Sequence, residues 1–277
     1  MTWWAVAVGV DEGERAAVAA WLVAETGQAV EERDDGTLVS FAEDLAGAEG
    51  LIARLKAVHG SGVRTERRPL DSVDWTTRWR DGLGPRRLGR LTVVPSWIEY
   101  QRGAEEAVVV IDPETAFGSG EHGSTRAALR LLERHLRPGQ SVLDLGSGSG
   151  ILTIAAARLG AGRAIGVEVD DEALPVAIRN SAVNGVSDRV GFVAGEAVDL
   201  APLLGPADIV LSNILRIVNV TLLPAIRSAL KPGGLAIFSG MEEAEAEEFR
   251  PELELAGLTL VDQETDAGWW AVAATRA

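Results

Sequence analysis

Residues 141–150 read SVLDLGSGSG, and no other stretch constrains the fold as tightly. Val142, Leu143 and Leu145 read as the end of a buried strand. Gly146, Gly148 and Gly150 then make a tight turn, and the apolar, Ala-rich residues 151–159 read as a helix. A strand, a glycine turn and a helix open a nucleotide-binding α/β unit. Glycine is expected here because a side chain would block a ligand lying across the turn. The spacing narrows the ligand. A GxGxxG fingerprint would need a small residue at position 151, where this chain has Ile151. With GxGxG, a pyrophosphate at the helix N-terminus is not required.

Around this stretch the pattern alternates. Strands are expected at residues 164–169, 190–194, 208–212 and 235–239, with helices at 125–136, 171–184, 219–230 and 242–256. Either Ser124 or Thr125 can cap the first of these helices. Residues 258–261 and 269–274 read as closing antiparallel strands. Such alternation predicts a mainly parallel sheet covered on both faces. The first 68 residues follow another rule. Strands at 3–10, 28–33, 37–41 and 63–68, with helices at 11–25 and 44–58, give a βαββαβ order. The fold class is therefore α/β, a Rossmann-like sheet with a small N-terminal ferredoxin-like α+β domain. The domains are residues 1–68, a linker with a helix at 69–90, and 91–277. Trp75 and Trp79 share one face of the linker helix.

Composition removes several function classes. The 277 residues include no cysteine, so disulfides, thiol catalysis and thiolate metal sites are excluded. The three histidines, His59, His122 and His135, have no metal-ligand spacing, and no metal is expected. The net charge of -15 would repel nucleic acid and attract a basic protein. No run of about 18 apolar residues suggests a membrane span, and the N-terminus lacks a basic leader with a cleavage site, so a cytoplasmic location is expected. The acid run at 242–248 reads as a solvated helix face.

Ligands of open α/β sheets sit beyond the carboxyl ends of the strands. Glu168 lies there, 22 residues past Gly146, placed to accept both ribose hydroxyls. Asp144 could order the turn or face an amine of the ligand. Glu196 could reach an adenine amine. Asn213 ends its strand with both a donor and an acceptor, and could hold cofactor or acceptor. His122 could be a base or a structural hydrogen-bonder. The GxGxG spacing, the Asp before it and the acid after the next strand together fit an S-adenosylmethionine (SAM) site.

The segments DPETAFGSGEHGSTRAALRLLE, SVLDLGSGSGILTIAAARLGA, IGVEVDDEAL and ADIVLSNIL resemble the PrmA family, methyltransferases of large-subunit ribosomal protein eleven. The likeness spans residues 72–240 and includes the linker DWTTRWRDGLGPRRLGRLTVVPSW. It implies SAM-dependent methylation of lysine and α-amino groups of that ribosomal protein, with the N-terminal domain recognising it. The implied cofactor contacts are Thr125, Gly146, Glu168 and Asn213, beside Gly148 and Gly150 of the turn; Asn213 is also the expected catalytic residue. The chain departs from the family pattern at Ser119, Glu121, Gly123, Ser124, Glu168 and Arg216. Asn213-Ile214-Leu215-Arg216 differs from the Asn-Pro-Pro-Tyr of base and glutamine methyltransferases. Competing readings are methylation of another protein or a small amine, or a non-catalytic SAM-binding module on the ribosome.

Overall fold

Strand β1 (Trp4–Gly9) turns Val6 and Val8 into the core of a small unit. The computed structural model describes residues 3–26, 30–33, 36–60, 62–69, 83–114 and 116–276. It divides the chain into Met1–Gly82 and Leu83–Ala277. In the first unit, α1 (Glu12–Thr26) starts with Glu12 and Glu14, whose charges suit a helix N-terminus. It buries Val18 and Leu22, four residues apart and so on one face. Strands β2 (Glu31–Glu32) and β3 (Leu38–Ala42) follow. Then comes α2 (Leu45–His59), capped by Asp44, which accepts the Gly47 N–H at 2.7 Å. With β4 (Arg64–Pro69) the sheet order is β2-β3-β1-β4, antiparallel throughout. This is the expected ferredoxin-like arrangement. The linker helix with Trp75 and Trp79 lies outside the described residues.

The second unit opens with a three-stranded sheet. Strand β5 (Arg86–Leu88) pairs antiparallel with β6 (Leu91–Pro95), which pairs parallel with β7 (Ala107–Ile111). Helix α3 (Gly123–His135) leads to the main sheet. Its strands are β8 (Ser141–Leu145), β9 (Arg163–Glu168), β10 (Val190–Ala194), β11 (Ala207–Asn213), β12 (Leu230–Glu242), β13 (Leu258–Asp266) and β14 (Trp269–Arg276). Between them run α4 (Ile151–Arg158), α5 (Ala173–Val183), α6 (Ala197–Leu204), α7 (Arg216–Ala229) and α8 (Ala246–Leu255). The order is β10-β9-β8-β11-β12-β14-β13; the first five are parallel, and β14 is antiparallel to both its neighbours. One core layer joins α3, α4 and the small sheet; the other joins α7 and α8 through residues such as Leu223, Phe238 and Phe249. The central strands are buried along most of their length because both faces are covered.

Three local features differ from expectation. Helix α6 was not foreseen: its eight residues are interrupted by Pro202, which lacks the N–H a helix interior needs. Helix α3 is capped by His122, with no side-chain cap bond, instead of by Ser124 or Thr125. Strand β13 runs on to Asp266 because the reversal sits at Ala267-Gly268, where both φ angles are positive, 50° and 81°. A type I′ turn has that requirement, and it delivers Trp269 directly opposite Asp266.

Charge fixes α3 against β13. Arg126, Arg130 and Arg134 recur every four residues, while Asp262, Glu264 and Asp266 recur every two. Four helical residues rise about 6 Å and two strand residues about 6.8 Å, so the two rows stay in step. Arg126 pairs with Asp266, Arg130 with Glu264 and Asp266, Arg134 with Glu264 and Asp262, and His135 with Asp262. The ladder aligns the start of α3 with the start of β14.

Candidate functional site

Strand order reverses between β8 and β11, and a cavity of about 650 Å³ lies at the carboxyl ends of these strands. Open α/β sheets bind ligands at such a switch point, in pockets of about 300–1,000 Å³. Thr125, Gly146, Gly148, Glu168 and Asn213 all line it. Gly150 is not among the lining residues; it is the N-cap of α4.

The glycine turn is closed on itself. Gly146 and Ser147 N–H donate to the Val167 carbonyl, Gly148 N–H to Glu168, Ser149 N–H to the Phe117 carbonyl and Gly150 N–H to the Ser147 carbonyl. No amide of residues 146–150 is left for an anion, so the turn is not a pyrophosphate cradle. Gly148 has φ +51°, and a Cβ there would stand 2.6 Å from the Phe117 carbonyl oxygen. At this position the chain's own loop already requires glycine, independently of any ligand.

Glu168, at the end of β9, is nearly buried. Its Oε2 accepts from Gly148 N–H at 2.7 Å, and its Oε1 from Val169 and Asp170 N–H at 2.9 and 3.0 Å. The acid thus sets the turn while presenting its edge to the cavity. Asp144 is fully buried, and its Oδ2 accepts from the Thr153 N–H and hydroxyl at 3.1 and 2.7 Å. It anchors the first turn of α4. Burial pushes its carboxyl up to about 7; the Thr153 bonds oppose the shift and the Glu168 charge adds to it.

Asn213 ends β11, and its Nδ2 donates to the Thr125 hydroxyl at 3.2 Å, so two expected contacts meet across the cavity. Asn213 Oδ1 and Ser147 Oγ are buried, with no hydrogen-bond partner among the described residues. Asn219 holds the strand end in place, accepting from Ser212 and donating to the Ile214 and Ser239 carbonyls. His122 Nδ1 lies 2.7 Å from Ser124 Oγ, and its ring packs on Trp269. Burial, then the Arg126 charge, hold this imidazole below its usual pKa. Glu196 also lines the cavity.

Four of the chain's departures from the family pattern, Ser119, Glu121, Gly123 and Arg216, are not among the cavity's lining residues. Glu121 forms an ion pair with Arg86, and Arg216 reaches Glu245 and Glu248. Sequence reasoning missed Asn180. It accepts the Asp112 N–H and donates to the carbonyls of Asp112 and Ser149, tying the preceding loop to the glycine turn. Its signal is a polar residue on an apolar helix face, beside Val176 and Ala177. Phe117 and Trp269 were missed as lining residues because nothing local marks a loop or strand-end aromatic as facing a cavity.

The chemistry of this wall fits a nucleoside bearing hydroxyl and amine donors. It offers a carboxylate edge, two unpartnered buried oxygens and apolar surface, with no amide of the turn free for phosphate.

Comparison with known proteins agrees. The family model "Ribosomal protein L11 methyltransferase (PrmA)" matches residues 5–277. The ribosomal protein L11 methyltransferase of Pelotomaculum thermopropionicum is 41% identical over 241 residues, covering 87% of this chain and 76% of that one. That of Thermus thermophilus is 40% identical over 196 residues, covering 71% and 75%. The crystal structure of a ribosomal protein L11 methylase from Lactobacillus delbrueckii subsp. bulgaricus aligns with a TM-score of 0.64 at 30% identity, covering 70% of this chain and 99% of that one. The chain belongs to the ribosomal protein L11 methyltransferase family.

Proposed function

We propose that the protein methylates lysine and α-amino nitrogens of ribosomal protein L11, with SAM held in the cavity and Asn213 positioning the amine. The supporting observation is Asn213 Oδ1, a buried acceptor on the cavity wall without a partner. Such groups are rare in folded proteins unless a ligand completes them. When bound, SAM supplies a methyl group already made electrophilic by its sulfonium. Gly146 and Gly148 let the nucleoside lie against the turn, with Gly150 shaping the turn behind them. Glu168 accepts from the ribose hydroxyls, and Thr125 with Asn213 Nδ2 bounds the methionine side.

A free lysine has a pKa of about 10.4. The apolar wall disfavours its charge and lowers that value, and the proton leaves to solvent. Asn213 Oδ1 then takes one N–H of the neutral amine and aims its lone pair. Alignment of this kind supplies roughly 7–11 kcal/mol in favourable cases. Residues 1–68 recognise the ribosomal protein, residues 69–82 link, and the unit from Leu83 onward carries the transfer. The net charge of -15 suits a basic protein partner without nucleic-acid contact, and the cytoplasm is the proposed location. Among the described residues, no helix is long and apolar enough to cross a membrane.

The test is incubation with labelled SAM and unmodified ribosomal proteins, read by mass spectrometry. Label is expected on L11. Asn213→Ala should lower kcat about a hundredfold, as small misplacements of a reacting group do. Absence of label from L11 would refute the assignment.

A further inference from the structure

The first turn of α3 is held from outside the cavity. Its Thr125 hydroxyl accepts from Asn213 Nδ2 at 3.2 Å, and its Ser124 carbonyl accepts from Ser239 Oγ at 2.9 Å. Arg126 comes next and is not among the lining residues. The Asp266 carboxylate, at the end of β13, grips it with both oxygens: Oδ2 accepts from Nε at 3.1 Å, and Oδ1 accepts from Nη2. The remaining arm, Nη1, donates to the Glu121 carbonyl, one residue before the helix cap His122. One planar guanidinium thus ties the β13–β14 hairpin to both the loop and the helix start. Gly123 completes the joint. A Cβ there would run into the Asp266 backbone carbonyl and stand 2.8 Å from Trp269 Cδ1.

Arg134 provides the contrast. It sits about two turns further along the same helix and pairs with Asp262 and Glu264 of the same strand. Among the described residues, all the bonds of its guanidinium go to β13, and none to the loop. Its side chain is 39% exposed, against 18% for Arg126 and 12% for Asp266, so water screens the outer pair more. Hydrogen bonds from Arg126 hold the Asp266 carboxyl below its usual pKa, with burial opposing. The loop has separate ties at its other end. Ser149 N–H donates to the Phe117 carbonyl at 2.9 Å, and Ser149 Oγ to the Gly118 carbonyl at 2.7 Å. Loss of the Arg126 bonds would therefore free the helix start and leave the loop fastened to the glycine turn.

This joint acts on a group whose orientation matters. An asparagine amide presents either its oxygen or its NH2 to a ligand, according to which end is held. Here the Thr125 hydroxyl takes Nδ2, and Oδ1 is the buried acceptor without a partner among the described residues. The helix start places the Thr125 hydroxyl, and Arg126 places the helix start. We infer that Arg126 and Asp266 are positioning residues for methyl transfer: they fix the orientation of the Asn213 amide through the first turn of α3. The inference rests on the role of Asn213 proposed above. Lysine cannot stand in for Arg126, because an ammonium lacks the planar fork that serves a carboxylate and a carbonyl together.

The test compares Arg126→Lys and Asp266→Asn with Arg134→Lys, each in the full chain, with thermal melting to confirm that each variant is folded. Three quantities are read: kcat on L11, SAM affinity by calorimetry, and the side-chain amide NMR signal of Asn213, assigned by its loss in Asn213→Ala. The two inner variants should lower kcat on the order of tenfold, part of the roughly hundredfold that a misplacement of about 1 Å can cost. SAM affinity should change less than about threefold, since a loss confined to kcat marks an interaction that serves the transition state. The Asn213 signal should shift and broaden in both. Arg134→Lys should leave all three quantities at their wild-type values, whatever it does to the melting temperature. An equal fall in kcat for Arg134→Lys would mean that the ladder acts through stability alone. Wild-type turnover in the inner variants, an unmoved Asn213 signal, or a SAM affinity that falls as far as kcat would each overturn the inference. If the wild type places no methyl on L11, the function proposed above fails, while the amide signal still decides whether Arg126 sets the orientation of Asn213.

Discussion

Asp144 combines complete burial, one bonded oxygen and one buried oxygen without a partner among the described residues. A carboxylate in that setting is costly, and its value of about 7 lies well above the roughly 3.9 of a free aspartate. The folded chain thus binds this proton more tightly than the unfolded chain does. Stability from the group is full below about pH 4 and is lost as pH rises through 7. A shift of this size corresponds to roughly 4 kcal/mol at most. Asp144→Asn keeps an acceptor for Thr153 but cannot ionise. Urea unfolding at pH 5 and pH 8 should show the wild type losing stability at the higher pH and the Asn variant losing much less. Parallel losses in the two proteins would mean that Asp144 is not the titrating group. The sequence left two roles open for this residue; its bonds to Thr153 favour anchoring α4, and only packing could reveal that.

At the scale of elements, the order of strands and helices was legible because apolar periodicity and glycine turns are local signals. The βαββαβ unit, the glycine turn and the acid ending β9 all sit where those signals put them. Helix α6 escaped because eight residues containing Pro202 carry too little periodicity. The ladder between α3 and β13 escaped because acids two apart on a strand mean nothing until a helix with arginines four apart lies beside them. Asn180 escaped for a similar reason. Its three bonds reach residues 112 and 149, which are distant in sequence. Asn180→Leu removes those bonds from a site that is almost wholly buried. Unsatisfied buried groups cost about 1–3 kcal/mol each, so a loss of about 2–4 kcal/mol is expected. SAM affinity should fall with it, because the 112–122 loop loses its tie to the glycine turn. Chemical denaturation and calorimetric titration check both. A variant of wild-type stability would show that the loop is held by its other bonds alone.

For the whole molecule, each unit has a core of its own. The N-terminal core runs from Val6 to Val63, and the two layers around the main sheet draw on residues 88–274 only. All lining residues of the cavity also lie in the second unit. A chain beginning at Ser72 keeps β5, which pairs with β6 at the start of that unit. It should therefore fold and bind SAM with near wild-type affinity. Its handling of substrate should change sharply. A docking domain makes delivery of the amine intramolecular, with gains of roughly 10²–10⁴ when the linker spans the sites. Loss of residues 1–71 should lower kcat/KM for intact L11 on the order of a hundredfold. A short L11 peptide, too small to use the docking surface, should be affected far less. Titration of SAM, followed by initial rates on intact L11 and on the peptide, separates the outcomes. Weak SAM binding by the shortened chain would mean that the second unit depends on the first for its fold. Methylation of intact L11 at the full chain's rate would remove recognition from the N-terminal unit and place it at the mouth of the cavity.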